Sequence, residues 1–199
     1  RATQGIKHSD LESMVLNRNE LPVEVRDFQK GRETKLDNGT MASQGFPGST
    51  LEQIESTGRL MGYLREFISP IQPESLETGS NLVVATIVHL FSDSDCVSYW
   101  MTEKFLADFK RFVGKDLANG QKLEYVKQIS VDGFWGKSVG LHTVQTTQIG
   151  TISSTIVDFA VDRILAVAYV VAMGDVERKE LVCNIGMDLE KRIVRVILE

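Results

Sequence analysis

Apolar positions along this chain follow two periods. Leu82–Phe91 is a nearly continuous apolar run rich in Val and Ile, the pattern of a buried strand. Leu60–Ile68 reads as a strand before it, closed by Ser69-Pro70, with residues 70–80 as a loop. The period then changes. Val97, Met101, Phe105, Phe109 and Phe112 recur at steps of three or four, which predicts one face of a helix ending near Gly114. Ser92-Asp93-Ser94-Asp95 offers caps and dipole-matched acids for its start. Leu123–Val131, Ser138–Thr147, Thr151–Val161 and Ile164–Met173 read as four further strands. Asp132-Gly133, Ile149-Gly150 and a tight Asp162-Arg163 hairpin separate them. Alternation of Thr155, Val157, Phe159 and Val161 with Asp158 and Asp162 predicts one buried and one wet face. Ile164–Met173 is apolar on both faces and belongs at the sheet centre.

Gly174-Asp175 opens a long helix to the C-terminus, with Leu181, Ile185, Leu189, Ile193 and Val196 as its apolar stripe. Glu177 early and Lys191, Arg192 and Arg195 late match the helix dipole. Gly186 inside it costs about 1 kcal/mol relative to Ala, which suggests room for another backbone.

Residues 1–59 are polar and rich in turn signals, such as Asp37-Asn38-Gly39 and Phe46-Pro47-Gly48. They predict a short helix from Asp10 to Asn17, capped by Ser9 with Glu12 completing a capping box, and a short strand over Val23, Val25 and Phe28. A further helix carries Leu51 and Ile54 behind Ser49 or Thr50. Grouped rather than alternating elements indicate an α+β fold. The expected architecture is an antiparallel meander of about five to seven strands covered by two long helices. Residues 60–199 form that domain, and 1–59 an irregular N-terminal extension packed on it.

The 199 residues suit one domain with a real core. A net charge of −5, with 22 scattered Lys and Arg against 27 acids, argues against nucleic acid as a partner. The longest apolar run, Ile164 to Met173, is half of what a membrane-spanning helix needs. The chain opens on Arg1 rather than Met, which reads as a processed or trimmed start. Cys96 and Cys183 form no C-x-x-C pair and read first as small buried hydrophobes, with a bridge between them as the alternative.

Chemistry-bearing motifs are sparse. His89 lies in an apolar strand, and His142 sits between Leu141 and Thr143. Neither has a second ligand at local zinc spacing, so no metal and no cofactor are expected. There is no G-x-S-x-G elbow and no glycine-rich phosphate loop, so no catalytic residue is assigned. The Ser92–Asp95 run lacks the twelve-residue calcium loop. Asp132-Gly133-Phe134-Trp135-Gly136 is the most unusual segment: two large aromatics on a turn either grip a partner or fold back on the sheet or helix. The aromatic helix stripe forms core or lines a cavity for an apolar ligand.

Glu20-Leu21-Pro22 followed by Gly58-Arg59-Leu60-Met61-Gly62-Tyr63 resembles a loose group of uncharacterised bacterial secreted proteins and lipoproteins, over about residues 8–91. That resemblance implies a location outside the cytoplasm and carries over no catalytic residue. The element order is similar to the Mog1/PsbP-type α/β/α sandwich, a likeness of fold alone. The leading expectation is a non-catalytic extracytoplasmic protein that binds an apolar small molecule or a protein partner, with Phe134, Trp135, His142 and Trp100 as candidate contact residues. Two alternatives stay open: an assembly module forming a homodimer, and a hydrolase-like enzyme using His142 or His89 as base.

Overall fold

The computed structural model describes residues 2–117 and 120–199. Its centre is one antiparallel sheet of seven strands: β1 (Gln29–Leu36), β2 (Arg59–Ile68), β3 (Asn81–Phe91), β4 (Lys122–Ile129), β5 (Ser138–Thr147), β6 (Gly150–Val161) and β7 (Ile164–Met173). They lie in the order β1-β2-β3-β7-β6-β5-β4. The expected single meander is therefore two meanders that meet where β3 pairs with β7. β7 is the middle strand, as its two-sided apolar run requires. The β6–β7 hairpin turns through Asp162 and Arg163, with Asp162 in the left-handed region at φ 53°.

Helices cover both faces. On one lie α1 (Leu11–Met14) and α6 (Lys179–Leu198), whose Ile185, Leu189 and Ile193 pack with Leu11, Met14, Val88, Val157 and Phe159. On the other lie α2 (Asn38–Gln44), α3 (Leu51–Glu55), α4 (Ser94–Tyr99) and α5 (Phe105–Phe112), over a second core of Phe91, Val97, Met101, Ile156 and Leu165. Cys96 belongs to the second layer and Cys183 to the first, and both thiols are free.

The fold is α+β, but only α6, with 20 residues, is a long helix. The second expected rod is broken. A π-helical turn, Trp100–Lys104, separates the six residues of α4 from the eight of α5. Its cause is in the spacing. Val97, Met101, Phe105 and Phe109 are separated by three steps of four residues, each about 0.4 residue longer than an α-turn. One wider turn takes up the accumulated surplus and keeps the row over the sheet.

The first 59 residues differ most from expectation. Val23–Val25 is a 3₁₀ turn rather than a strand, behind the fixed φ of Pro22, and Val25 and Phe28 tuck into the first core. The polar stretch Gln29–Leu36 is the strand instead. The helix expected over Asp10–Asn17 shrinks to α1, and Ser9 does not cap it. The Ser9 hydroxyl donates to Asp10, whose carboxylate accepts the Lys7 N–H at 2.8 Å. The Asp37-Asn38-Gly39 turn signal starts a helix: Asp37 accepts the Thr40 N–H at 2.6 Å and caps α2. Thr50 caps α3 as expected, accepting from Gln53 N at 3.2 Å.

Candidate functional site

The broken helical layer leaves a cleft. Asp93 starts α4 by accepting the Cys96 N–H at 2.8 Å, and the π turn then carries the aromatic row outward along α5. The loop between α2 and α3 crosses toward that row and inserts Phe46. Its ring stacks on Phe112 at 4.6 Å, nearly parallel, and meets the Phe109 ring edge-on at 5.0 Å. On one side of Phe46 opens a cleft of about 720 Å³, walled by residues 42–49 and Phe109, with Leu117, Gln121 and Gln145 opposite. On the other side lies an apolar pocket of about 140 Å³ between Met41, Ile54, Trp100, Phe105 and Phe109. A more polar hollow of about 280 Å³ runs past Phe46 between Tyr99, Gln53, Lys104 and Arg111. Trp100 is buried, with the Lys104 ammonium 5.7 Å from its ring centre. Lys104 also pairs with Asp108 at 3.0 Å.

Behind Trp100 lies a polar cluster inside the sheet. Arg59 is 2% exposed and donates to Asn38 Oδ1 (2.6 Å), to the Leu36 carbonyl (2.7 Å) and to His89 Nδ1 (3.2 Å). Asn38 returns a bond to the Arg59 carbonyl at 3.0 Å. Burial lowers the Arg59 pKa to about 10, and burial beside that guanidinium pushes His89 well below the ordinary imidazole value. The Gly58-to-Tyr63 motif is thus a structural clamp that ties the β1–α2 junction to β2.

Asp158 is the largest departure from the predicted wet face. It is fully buried on β6, on the same side as Ile156 and Ala160, beneath the α4 layer, and neither carboxylate oxygen has a partner. Burial alone raises its pKa well above the carboxylate range.

The residues singled out from sequence do not converge. Trp100 lines the small apolar pocket beneath the α4–α5 layer. His142 lies on the opposite, α6-facing side, buried, with Nε2 2.8 Å from Asp175 and Nδ1 3.4 Å from Thr155 Oγ1; Tyr125 donates to the same Asp175 at 2.7 Å. The hydroxyls beside it are committed: Ser153 donates to the Val176 carbonyl at 3.0 Å, and Thr155 accepts the Arg178 N–H at 2.9 Å. This arrangement pins the segment leading into α6 and engages the Ser153 and Thr155 hydroxyls in holding it.

In the aromatic turn, Phe134 folds back. It stacks on Phe159 at 4.9 Å and fills the space above Gly186, so that glycine admits a ring rather than a backbone. Trp135 is 77% exposed, while its N–H is held by the buried Glu190 carboxylate at 3.1 Å. Among the described residues no cluster of His, Cys, Asp and Glu is placed to hold a metal ion. The sequence reading gave Phe46, Arg59 and Asp158 no part in a site: Phe46 appeared in a turn signal, Arg59 in the Gly58-to-Tyr63 resemblance and Asp158 on an expected wet strand face.

No protein-family model matches the chain, and no curated protein matches it. Among solved structures it is similar to the extracellular domain of PknH from Mycobacterium tuberculosis. That likeness has a TM-score of 0.60 and 13% identity, over 98% of this chain and 99% of the other. It is also similar, at a TM-score of 0.42 and 12% identity, to an uncharacterized protein (Rv0999 ortholog) from Mycobacterium smegmatis, over 82% of this chain and 88% of that one. The first likeness shows a shared fold. No described helix is long and apolar enough to cross a membrane.

Proposed function

We propose that this chain is a non-catalytic extracytoplasmic binding domain whose ligand is an apolar small molecule held between the α2–α3 loop and α5. The observation that carries this reading is the cleft of about 720 Å³ with Phe46 and Phe109 in its wall, a size that suits a small-molecule site. Trp100 and the α5 phenylalanines supply apolar surface, and Gln121 and Gln145 supply polar groups to orient a ligand. The extracytoplasmic part rests on the fold shared with an extracellular domain and on the secreted-protein resemblance of residues 8–91. Mass spectrometry of organic extracts from protein purified out of its native cells tests the ligand. A stoichiometric apolar molecule, displaced by Phe109→Glu, supports the cleft; an empty protein that no apolar probe stabilises thermally removes it. Immunoblotting of cell fractions tests the location.

Trp135 marks a second surface, for a protein partner. The turn that presents it is held by Glu190 and Phe134, so little conformational freedom is lost on contact. A homodimer through the uncovered edges of β1 or β4 is the remaining mode of association, read out by light scattering across concentration.

A further inference from the structure

Phe46 borders all three hollows around the α5 row: the cleft of about 720 Å³, the apolar pocket of about 140 Å³ and the polar hollow of about 280 Å³. Its ring is the partition between them. The segment that carries it, Gly45-Phe46-Pro47-Gly48-Ser49, is built to move as a strap. It has a glycine on each side, with Gly48 in the left-handed region at φ 86°, and only the short Ser49 N–H to Phe46 C=O bond of 3.0 Å holds it in itself. Phe46 nevertheless occupies an aromatic seat, parallel to Phe112 and edge-on to Phe109. Two cations lie against the same Phe112 ring, and Arg111 also lines the polar hollow. Arg111 Cζ lies 4.9 Å and Lys115 Nζ 5.5 Å from the Phe112 ring centre, and neither pairs with an acid among the described residues. The nearby acid Asp108 is engaged by Lys104.

We infer that Phe46 is an internal plug sitting in the ring-binding subsite of the cleft, and that the ligand is a planar aromatic anion whose ring displaces Phe46 from Phe112 while its charge meets Arg111 and Lys115. This rests on the reading of the cleft as a small-molecule site and narrows its ligand to a mainly apolar ring system that carries one negative charge. An aromatic ring already seated on Phe112 shows what shape that slot accepts. Unpaired guanidinium and ammonium groups beside it favour an anion, because they attract it without a competing carboxylate. Swinging Phe46 aside also joins the three hollows into one continuous site.

The test uses two fluorescent probes that share an N-phenylnaphthylamine core: 8-anilino-1-naphthalenesulfonate, an aromatic anion with a planar naphthalene ring, and N-phenyl-1-naphthylamine, which lacks the sulfonate. Phe46→Ala should bind both about tenfold more tightly than the unmodified protein, the size of one aromatic stacking contact. Phe46→Leu should fall between them. Arg111→Glu with Lys115→Glu should weaken the sulfonate about tenfold and leave the amine unchanged. In the unmodified protein labelled with fluorophenylalanine, the ¹⁹F resonance of Phe46 should shift as the sulfonate is added, a readout that does not depend on a variant folding. If the probes bind but Phe46→Leu has no effect and the resonance stays still, the plug is overturned while the cleft stands. Equal loss of both probes on charge reversal overturns the anionic ligand. If neither probe binds any form, the cleft reading itself fails.

Discussion

Arg59 donates its Nε–H to His89 Nδ1 at 3.2 Å, inside the β2–β3 pair and out of contact with water. The bond fixes the imidazole: Nδ1 must be an acceptor, so the ring is neutral and carries its proton on Nε2. Gly62 makes the pair fit. A Cβ there would stand 2.5 Å from Arg59 Nη2, 2.6 Å from His89 Nδ1 and 3.0 Å from the Val88 carbonyl. Gly62→Ala therefore overpacks a buried polar cluster and should cost roughly 1–3 kcal/mol, read as a lower urea midpoint at unchanged slope. Adding Arg59→Met removes one of the crowding atoms, so the double variant should be less destabilised than the sum of the two single ones. A Gly62→Ala protein as stable as the parent would contradict the packing.

The same residues show what a sequence can and cannot announce. The strands β2 to β7 were legible because their apolar runs and hairpin turns are local signals. β1 was not. An edge strand needs only one paired side and a few inward residues, and Gln29–Leu36 buries little beyond Leu36. The fate of Asp158 was hidden for the opposite reason: β6 looks alternating, yet helices cover both faces of the sheet, so the wet face it implies does not exist. The strand order was equally hidden, since nothing in either segment states that β3 pairs with β7 across the intervening chain. Trp100 was singled out and lines the small apolar pocket, whereas Phe46 showed only as part of a turn, because its aromatic partners are more than 60 positions away.

Cys96 and Cys183 pack in helical layers on opposite faces of the sheet, which puts the strands themselves between the two sulfurs. Protein prepared without reductant should show two free thiols per chain in denaturant by titration with a chromogenic disulfide. In the folded state Cys183 should react slowly, because it is buried and its thiol pKa is raised by that burial. A thiol count of zero in denaturant would show a bridge and refute the layer assignment.

The two tryptophans differ sharply in exposure, 77% for Trp135 against 8% for Trp100. Acrylamide should quench one emission component strongly and leave the other protected, and Trp135→Phe should delete the accessible one. Glu190 decides how rigid that accessible ring is. It is buried on α6, its pKa is raised by that burial, and both its oxygens accept from the Trp135 N–H, at 3.1 and 3.3 Å. Glu190→Ala leaves that donor without its partner and should lower the fluorescence anisotropy of Trp135. Glu190→Gln keeps an acceptor and should preserve most of it. Unchanged anisotropy in Glu190→Ala would mean that Phe134 alone holds the turn.

Asp158 makes stability depend on pH in a direction opposite to that of a paired carboxylate. Its pKa is raised in the folded protein, because no donor reaches either oxygen and the site is dry. Below about pH 4 the group is neutral in both folded and unfolded chains and has no effect on their balance. As pH rises past that value the unfolded chain releases the proton while the folded one keeps it. Stability then falls by about 1.4 kcal/mol per pH unit, until the folded carboxyl also ionises. Asp158→Asn removes this term without changing the shape of the side chain. Its stability relative to the parent should therefore be flat at low pH and rise as pH increases above about 4, until the folded carboxyl also ionises, measured as urea midpoints at several pH values. His89 acts in the other direction: its lowered pKa stabilises the fold above about pH 6.5, and that contribution is lost as pH falls. It is common to both proteins and cancels in the difference. Parallel pH profiles for Asp158→Asn and its parent would show that Asp158 is solvated or paired in solution, and the buried face beneath α4 would have to be redrawn.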